Sequence, residues 1–168
     1  MIRPPVLVGI VGWKKSGKTT LIEQLIPRLA RRGLKVMTVK HTHHDLGPLN
    51  GSTDGERHAR AGALETFVIA PDAWEISGCR QVGPPPALGE LSPHIASADV
   101  VIVEGFKDAP IPKIELRRAA GANEPPLALL DTRVVAVAAD YETDPGELPL
   151  FTLDDADGIA AFIAALAK

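Results

Sequence analysis

The sequence has little cysteine, few aromatic residues and no excess of positive charge, and each shortage excludes a class of protein. The single cysteine, Cys79, cannot form an internal disulfide, which agrees with a reducing compartment. A formal net charge of −3 provides no broad basic surface, so we expect no nucleic-acid partner. Aromatic residues make up only 4% of the chain, and the core must therefore consist mainly of Val, Ile, Leu and Ala.

Long apolar runs are also absent. No run approaches the roughly 20 residues that a helix needs to span a bilayer, and the segment from Met1 to Pro5 lacks the parts of a signal peptide. We therefore expect a cytoplasmic protein with no membrane partner. Its 168 residues fit a single domain, residues 1–168, which is large enough to bury a core.

Short apolar runs alternate with helical patterns. Residues 6–11, 36–39, 66–70, 74–76, 100–103 and 134–138 are predicted strands. Apolar residues recur at helical spacing after the first run and again in residues 154–168, where Asp154 is the predicted N-cap. Residues 40–60 are polar and are predicted to be mostly loop. This alternation predicts a three-layer α/β fold in which helices flank a mainly parallel β-sheet.

The first predicted strand leads into a segment that satisfies the phosphate-loop pattern G-x-x-x-x-G-K-[ST] at every fixed position. Glycines let backbone N–H groups converge on a phosphate, and the following helix points its positive end at the same anion. Lys18 is then placed to neutralise β- and γ-phosphate oxygens and Thr19 to ligate Mg²⁺. The pattern indicates a P-loop NTPase-like protein that binds a purine triphosphate. Its predicted phosphate-site residues are Gly12, Trp13, Lys14, Lys15, Ser16, Gly17, Lys18, Thr19 and Thr20.

A carboxylate, Glu104, follows the strand predicted at residues 100–103. The carboxyl ends of parallel strands meet at one edge of a sheet, so Glu104 is expected near Gly12. In P-loop proteins a carboxylate at this position supports the magnesium ion, and we predict that Glu104 does so with Thr19. Direct ligation, indirect contact and water positioning all remain open, as does a carboxylate that is simply exposed to water. Lys18 and Glu104 are the predicted catalytic residues.

Histidines are concentrated just after the second predicted strand, at His41, His43 and His44. Structural zinc usually needs four fixed ligands, and no cysteine lies nearby, so we favour a phosphate-facing or substrate-facing loop over a metal site. Farther along, Asp54 and Arg57 belong either to a switch-like loop near magnesium and phosphate or to a solvated loop. Spacing alone does not separate these two interpretations.

Taken together, these segments resemble the MobB family, the molybdopterin-guanine dinucleotide biosynthesis adaptor proteins. The resemblance runs through nearly the whole chain, and its combination of motifs is far more specific than the phosphate loop alone. The segments that carry it are Lys14, Ser16 and Thr20, Val39-Lys40-His41 with His43-His44, Asp54, Arg57, Ala61-Gly62-Ala63, Val103-Glu104-Gly105-Phe106-Lys107, and Pro112-Lys113-Ile114-Glu115.

The resemblance implies a homodimeric GTP-binding protein with weak GTPase activity. Such a protein assists the guanylyltransferase that attaches a guanosine monophosphate unit to molybdopterin. GTP and Mg²⁺ are the implied cofactors, and the guanylyltransferase and molybdopterin are the implied partners. By the same resemblance Asp54 and Arg57 become predicted site residues, and phosphate and magnesium binding is implied for Gly12, Gly17, Lys18, Thr19 and Glu104.

Guanine recognition has no clear signature in the chain. An Asn-Lys-x-Asp motif is missing, and the nearest candidate is Asp140, which either accepts hydrogen bonds from guanine N1 and N2 or caps a turn. The preference for guanine therefore rests on the family. We also find no arginine finger or water-orienting glutamine, so slow intrinsic hydrolysis is expected.

Two other functions are compatible with the same loop. A small-molecule or nucleotide kinase is the first, although the sequence shows no lid-like insertion. A metal-delivery NTPase is the second, and it is suggested by the three histidines. For the dimer surface, the candidates are exposed edge strands at residues 74–76 and 113–115.

Overall fold

The computed structural model describes residues 4–42, 53–76, 79–82, 84, 86–121 and 123–167. Within these residues the strands are β1 (Val6–Gly12), β2 (Val36–His41), β3 (Thr66–Ile69), β4 (Ala73–Ile76), β5 (Cys79–Val82), β6 (Val100–Glu104), β7 (Lys113–Arg117), β8 (Val134–Ala139) and β9 (Leu150–Thr152). The α-helices are α1 (Lys18–Arg31), α2 (Thr53–Arg60), α3 (Ser92–Ile95) and α4 (Ala156–Leu166). Short 3₁₀ turns occupy Leu88–Leu91, Ala119–Gly121 and Leu127–Leu129.

The described strands form one sheet in the order β5-β4-β3-β2-β6-β1-β7-β8-β9. In the part of the sheet that runs β3-β2-β6-β1-β7-β8-β9, all neighbouring strands are parallel. Among the described strands, only the pairs β3–β4 and β4–β5 are antiparallel. The predicted P-loop NTPase-like α/β fold with a mainly parallel sheet is therefore confirmed. Because β1 lies between β6 and β7, the segment that follows β1 emerges at the middle of the sheet's carboxyl edge.

Each face of the sheet covers its own apolar cluster. On one face α1 and α4 pack on β1, β6, β7 and β8 through fully buried Leu, Ile and Val side chains. On the other face Leu91 and Ile95, from the 3₁₀ turn and α3, pack on β2, β3 and β6. The central strands β6 and β7 are buried along their whole length. Burial on both faces explains the unbroken apolar run at residues 100–103 of β6, whereas β7 alternates charged and apolar residues.

Several local predictions were wrong. Residues 53–60, within the stretch predicted as mostly loop, form α2. The 113–115 segment is not an edge strand, because β7 pairs with β1 and with β8. The 74–76 segment is not an edge strand either, since β4 lies between β3 and β5. The cap of α4 is Asp155, whose carboxylate accepts a hydrogen bond from the Gly158 amide, and not Asp154.

Candidate functional site

The phosphate loop joins β1 to α1 at the middle of the sheet's carboxyl edge. Gly12 ends β1, and a Cβ there would lie 2.6 Å from Ser16 Oγ and 2.7 Å from Leu116 O, so no larger residue fits without movement. Gly17 has φ 89°, a left-handed conformation that glycine adopts without steric cost. Both fixed glycines of the pattern are therefore required by the backbone that is observed.

The amino end of α1 is left open toward solvent. Its N-cap is Gly17, and among the described residues no side chain caps it and no acidic residue lies in its first turn. The unpaired N–H groups and the helix dipole together favour an external anion at this point. The loop and the start of the helix line a cleft of about 390 Å³, bounded by residues 15–20, Arg57, Glu104 and Arg118.

Lys18 lies inside the curl of the loop. Its Nζ donates hydrogen bonds to Gly12 O at 3.0 Å and Trp13 O at 3.1 Å, with Ser16 Oγ at 3.4 Å. Burial lowers the pKa of this ammonium group, and the nearby charge of Lys40 lowers it further, whereas the Glu104 carboxylate opposes both effects. An anion bound in the loop would offset the cost of holding Lys18 charged there.

Thr19 and Glu104 meet across the gap between α1 and β6. Thr19 Oγ1 lies 3.2 Å from each carboxylate oxygen of Glu104, which is 4% exposed. The pairing register puts Ile10 of β1 and Lys40 of β2 level with Glu104. The parallel sheet thus puts the end of β6 beside the ends of β1 and β2, in agreement with the expectation that Glu104 and Gly12 lie at one edge.

A small ionic network continues from Glu104 to α2. Lys40 Nζ hydrogen-bonds Glu104 Oε1 and lies 3.0 Å from Asp54 Oδ2. Asp54 Oδ1 is also 3.6 Å from Arg57 Nη1. Thr19, Glu104 and Asp54 supply hard oxygen ligands, and one or two carboxylates with a hydroxyl is a donor set that suits Mg²⁺ beside phosphates. The residues present therefore fit a magnesium ion.

Arg57 has a partner within the protein. Its Nε and Nη2 donate to the two carboxylate oxygens of Glu23 on α1, at 2.5 and 2.6 Å. This bidentate pair fixes α2 against α1 and orients Arg57 at the border of the phosphate cleft. Arg57 thus lines the cleft at the phosphate loop but is already held by a carboxylate, and its role in binding phosphate stays a prediction.

Asp140 lies on the opposite side of the loop. Its Oδ1 accepts a hydrogen bond from the Ala119 amide at 2.7 Å, and its Oδ2 is 3.8 Å from Arg118 Nε. The sequence left two interpretations of Asp140 open, and the observed hydrogen bond from the Ala119 amide corresponds to the turn cap. The part of Asp140 in reading a guanine base stays a prediction.

The remaining predicted residues have three kinds of surroundings. Lys14 and Lys15 are exposed loop residues, and Thr20 is exposed on the first turn of α1. Trp13 is held by a hydrogen bond from its indole N–H to Pro125 O at 3.1 Å. His43 and His44 lie outside the described residues.

Three side chains that contact the site were not among the predicted site residues. Lys40 could have been found by the same strand-end rule as Glu104, because it is the penultimate residue of β2 and pairs in register with Glu104 of β6. Glu23 carries no sequence signal beyond its place on α1. His58 is fully buried, neither ring nitrogen has a hydrogen-bond partner among the described residues, and its Nε2 is 3.9 Å from Glu104 Oε2. Burial lowers the pKa of His58, while the Glu104 carboxylate opposes that shift.

Comparison with known proteins gives one consistent family. The sequence model for "MobB: Molybdopterin guanine dinucleotide synthesis protein B" matches residues 7–140. The chain is 32% identical to the "Molybdopterin-guanine dinucleotide biosynthesis adapter protein" of Escherichia coli K12, covering 94% of this chain and 90% of that protein. It is 38% identical to the Haemophilus influenzae protein of the same name, over 80% of this chain and 75% of that protein.

Solved structures agree with this result. Bacillus subtilis MobB superposes with a TM-score of 0.65 at 25% identity, covering 97% of this chain and 98% of that chain. HypB from Helicobacter pylori has a TM-score of 0.59 at 15% identity over 97% of this chain and 86% of that chain, a likeness that shows the fold alone. No helix in the described part of the chain is long and apolar enough to cross a membrane.

Proposed function

The chain belongs to the MobB family, and we propose that it is a GTP-binding adaptor in the biosynthesis of molybdopterin guanine dinucleotide. The observation that carries the proposal is the convergence of Lys18, Thr19 and Glu104 on an uncapped helix end behind the phosphate loop. The relatives named as biosynthesis adapter proteins supply the pathway, since they are similar over most of their length.

The geometry supports a distinct task for each residue. The loop backbone and the amino end of α1 receive the phosphates, and Lys18 exchanges its carbonyl partners, Gly12 O and Trp13 O, for β- and γ-phosphate oxygens. Thr19, Glu104 and Asp54 would hold Mg²⁺. When bound, the ion neutralises charge on the phosphates. Without the ion, the Lys40 ammonium group pairs with Glu104 and Asp54 and neutralises part of their negative charge.

The arrangement supports slow hydrolysis. Within the described residues, no glutamine lines the cleft at the start of α1. Arg57, the cation nearest the expected phosphates on α2, is committed to Glu23. Since no glutamine lines this cleft and Arg57 is held by Glu23, we propose a weak GTPase that works as an adaptor rather than a rapid metabolic enzyme. Arg118, the other arginine that lines the cleft, has its Nε 3.8 Å from Asp140 Oδ2.

The partners follow from the pathway. We propose a cytoplasmic homodimer that hands the bound guanine nucleotide to the guanylyltransferase acting on molybdopterin. In this role tight and selective nucleotide binding matters more than turnover.

Equilibrium binding of Mg-GTP and Mg-ATP tests the proposal. The wild type is expected to bind GTP preferentially, and Lys18→Ala is expected to weaken binding about 10- to 100-fold, because charge-assisted hydrogen bonds contribute about 1.5–3 kcal/mol. Lys35→Ala, which removes an exposed lysine at the opposite end of β2, is the matched control. Equal or stronger ATP binding would contradict the GTP assignment and favour a kinase or another ATPase.

A further inference from the structure

A second cleft opens on the β2 and β6 side of the phosphate loop. It has a volume of about 550 Å³, and it shares Lys15, Lys18 and Glu104 with the smaller cleft that follows the start of α1. Its own lining includes His41, Phe106 and further side chains of β2 and of the segment after β6. The nucleotide phosphates proposed above occupy the smaller cleft, so the larger one has no assigned ligand.

This larger cleft is strongly cationic. Five lysines line it against two carboxylates, Glu104 and Asp108, although the whole chain has a net charge of −3. The lysines are Lys14, Lys15, Lys18, Lys40 and Lys107. Positive charge concentrated at one concave surface of an acidic protein indicates that the cleft receives an anion.

The ammonium groups in the cleft act on one another. Besides burial, which has the largest effect, the charges of Lys40 and Lys107 both lower the pKa of Lys18. Glu104 offsets part of this repulsion, but its carboxylate is shared with Thr19 and Lys40. A polyanion bound at the phosphate loop would neutralise Lys18, whereas Lys107 and Lys14 line the larger cleft and not the smaller one.

The wall of the cleft after β6 carries an aromatic ring. Phe106 has φ 47°, a left-handed conformation that is rare for a residue with a bulky side chain. Its ring stacks on His41 with 4.5 Å between centroids and 28° between planes. The next residue, Lys107, places its Nζ 4.9 Å from the centre of the Trp13 ring. Phe106 and Lys107 thus put a flat apolar surface and a cation side by side in the same cleft.

We propose that this cleft binds a second phosphorylated small molecule, a phosphate monoester of a flat ring compound, beside the nucleotide. The phosphate contacts Lys107 and Lys14, and the ring lies against the stacked pair of His41 and Phe106. The inference rests on the proposed function, because it assigns the phosphate loop to the nucleotide and leaves the larger cleft to the second ligand.

Fluorescence titration with 4-methylumbelliferyl phosphate tests the inference on the full chain, with the phosphate loop saturated by Mg²⁺ and a non-hydrolysable GTP analogue. The expected result is saturable binding that does not displace the analogue. Lys107→Gln is expected to weaken binding of the probe about tenfold, and the phosphate-free 4-methylumbelliferone to bind about tenfold more weakly than the ester. Lys35→Gln is the matched control and is expected to bind as the wild type does.

A second variant separates the ring from the charge. Phe106→Leu is expected to weaken binding of the aromatic ester while leaving binding of inorganic phosphate unchanged. Competition between the probe and the analogue would overturn the inference, as would equal affinities for Lys107→Gln and Lys35→Gln. Binding of the GTP analogue is measured in a separate titration. If the analogue did not bind, the proposed function would be wrong, and binding of the probe to the nucleotide-free protein would still test the inference.

Discussion

The two sides of the phosphate loop use charged residues in different ways. On the β2 and β6 side, the Glu104 carboxylate contacts, among the described residues, the side chains of Thr19, Lys40 and, at 3.9 Å, His58. On the β7 and β8 side, Glu115 accepts hydrogen bonds from the Leu127 and Ala128 amides and from Arg117. Both carboxylates are almost fully buried.

The comparison shows why burial of charge does not identify a ligand site. Glu115 and Arg117 hold backbone turns, since Arg117 also donates to Asp144 O at 2.8 Å. Lys113 likewise donates to Ala109 O at 2.6 Å and pairs with Asp131. Groups tied to backbone in this way cannot change partners without loss of local structure. The charged groups of Glu104 and Lys40 contact other side chains, so they can change partners when a ligand binds.

The largest expected effect is on the β7 and β8 side. Glu115→Ala should lower the free energy of unfolding by about 3–5 kcal/mol, because it leaves the buried Arg117 guanidinium uncompensated and two amides without an acceptor. Urea denaturation measures the change, and Glu142→Ala, at an exposed position, is the control. A loss below about 1 kcal/mol would mean that Glu115 does not hold the turn.

A smaller effect is expected on the β2 and β6 side. Lys40→Met removes the ammonium group between Glu104 and Asp54, so a divalent cation no longer meets that repulsion. Binding of Mn²⁺ to the nucleotide-free protein should strengthen about tenfold, which corresponds to about 1.4 kcal/mol. Electron paramagnetic resonance measures free Mn²⁺, with Lys35→Met as the control. Unchanged affinity would show that these carboxylates do not face the ion.

The smallest effect concerns acid stability. Hydrogen bonds from Arg133, and then from Lys113, hold the pKa of Asp131 well below its usual range. A carboxyl group with a lowered folded-state pKa stabilises the protein above its unfolded pKa of about 3.9, and this contribution is lost as the pH falls further.

Asp131→Asn should therefore flatten the decline in unfolding free energy between about pH 4 and pH 2, by roughly 1 kcal/mol or less for this partly exposed group. Urea midpoints measured across that range test the expectation, with the exposed Asp154→Asn as the control. An unchanged pH dependence would show that the Asp131 contacts contribute nothing to stability.

The central strands and the loop were predictable because their signals are local. β-branched runs gave β1, β2, β6 and β8, and the spacing of the fixed glycines and Lys18 gave the loop. The strand-end rule then placed Glu104 beside Gly12 without any further information. Membership of the family, inferred from the combined motifs, is confirmed as well.

What escaped prediction depends on tertiary contacts. The sequence Lys-Ile-Glu-Leu-Arg of β7 looks like an amphipathic edge strand, yet its charged side chains are buried because Asp131, Ala109 O and two amides pair with them. The eight residues of α2 are polar and contain a glycine, and the Arg57–Glu23 pair joins them to α1. The shift of the α4 cap from Asp154 to Asp155 is a choice between adjacent aspartates that composition does not make.

One paired measurement tests the contrast most directly: Mg²⁺-dependent GTP binding and urea unfolding of Glu104→Gln and Glu115→Gln. Glu104→Gln is expected to lose at least about tenfold in GTP affinity with Mg²⁺, down to the metal-free level, and to unfold almost as the wild type does. Glu115→Gln should show the reverse, with lowered stability and normal Mg²⁺ dependence in the folded protein. Equal losses of GTP affinity in both variants would contradict the different roles assigned to Glu104 and Glu115. A loss of stability without any loss of binding in Glu104→Gln would contradict them as well.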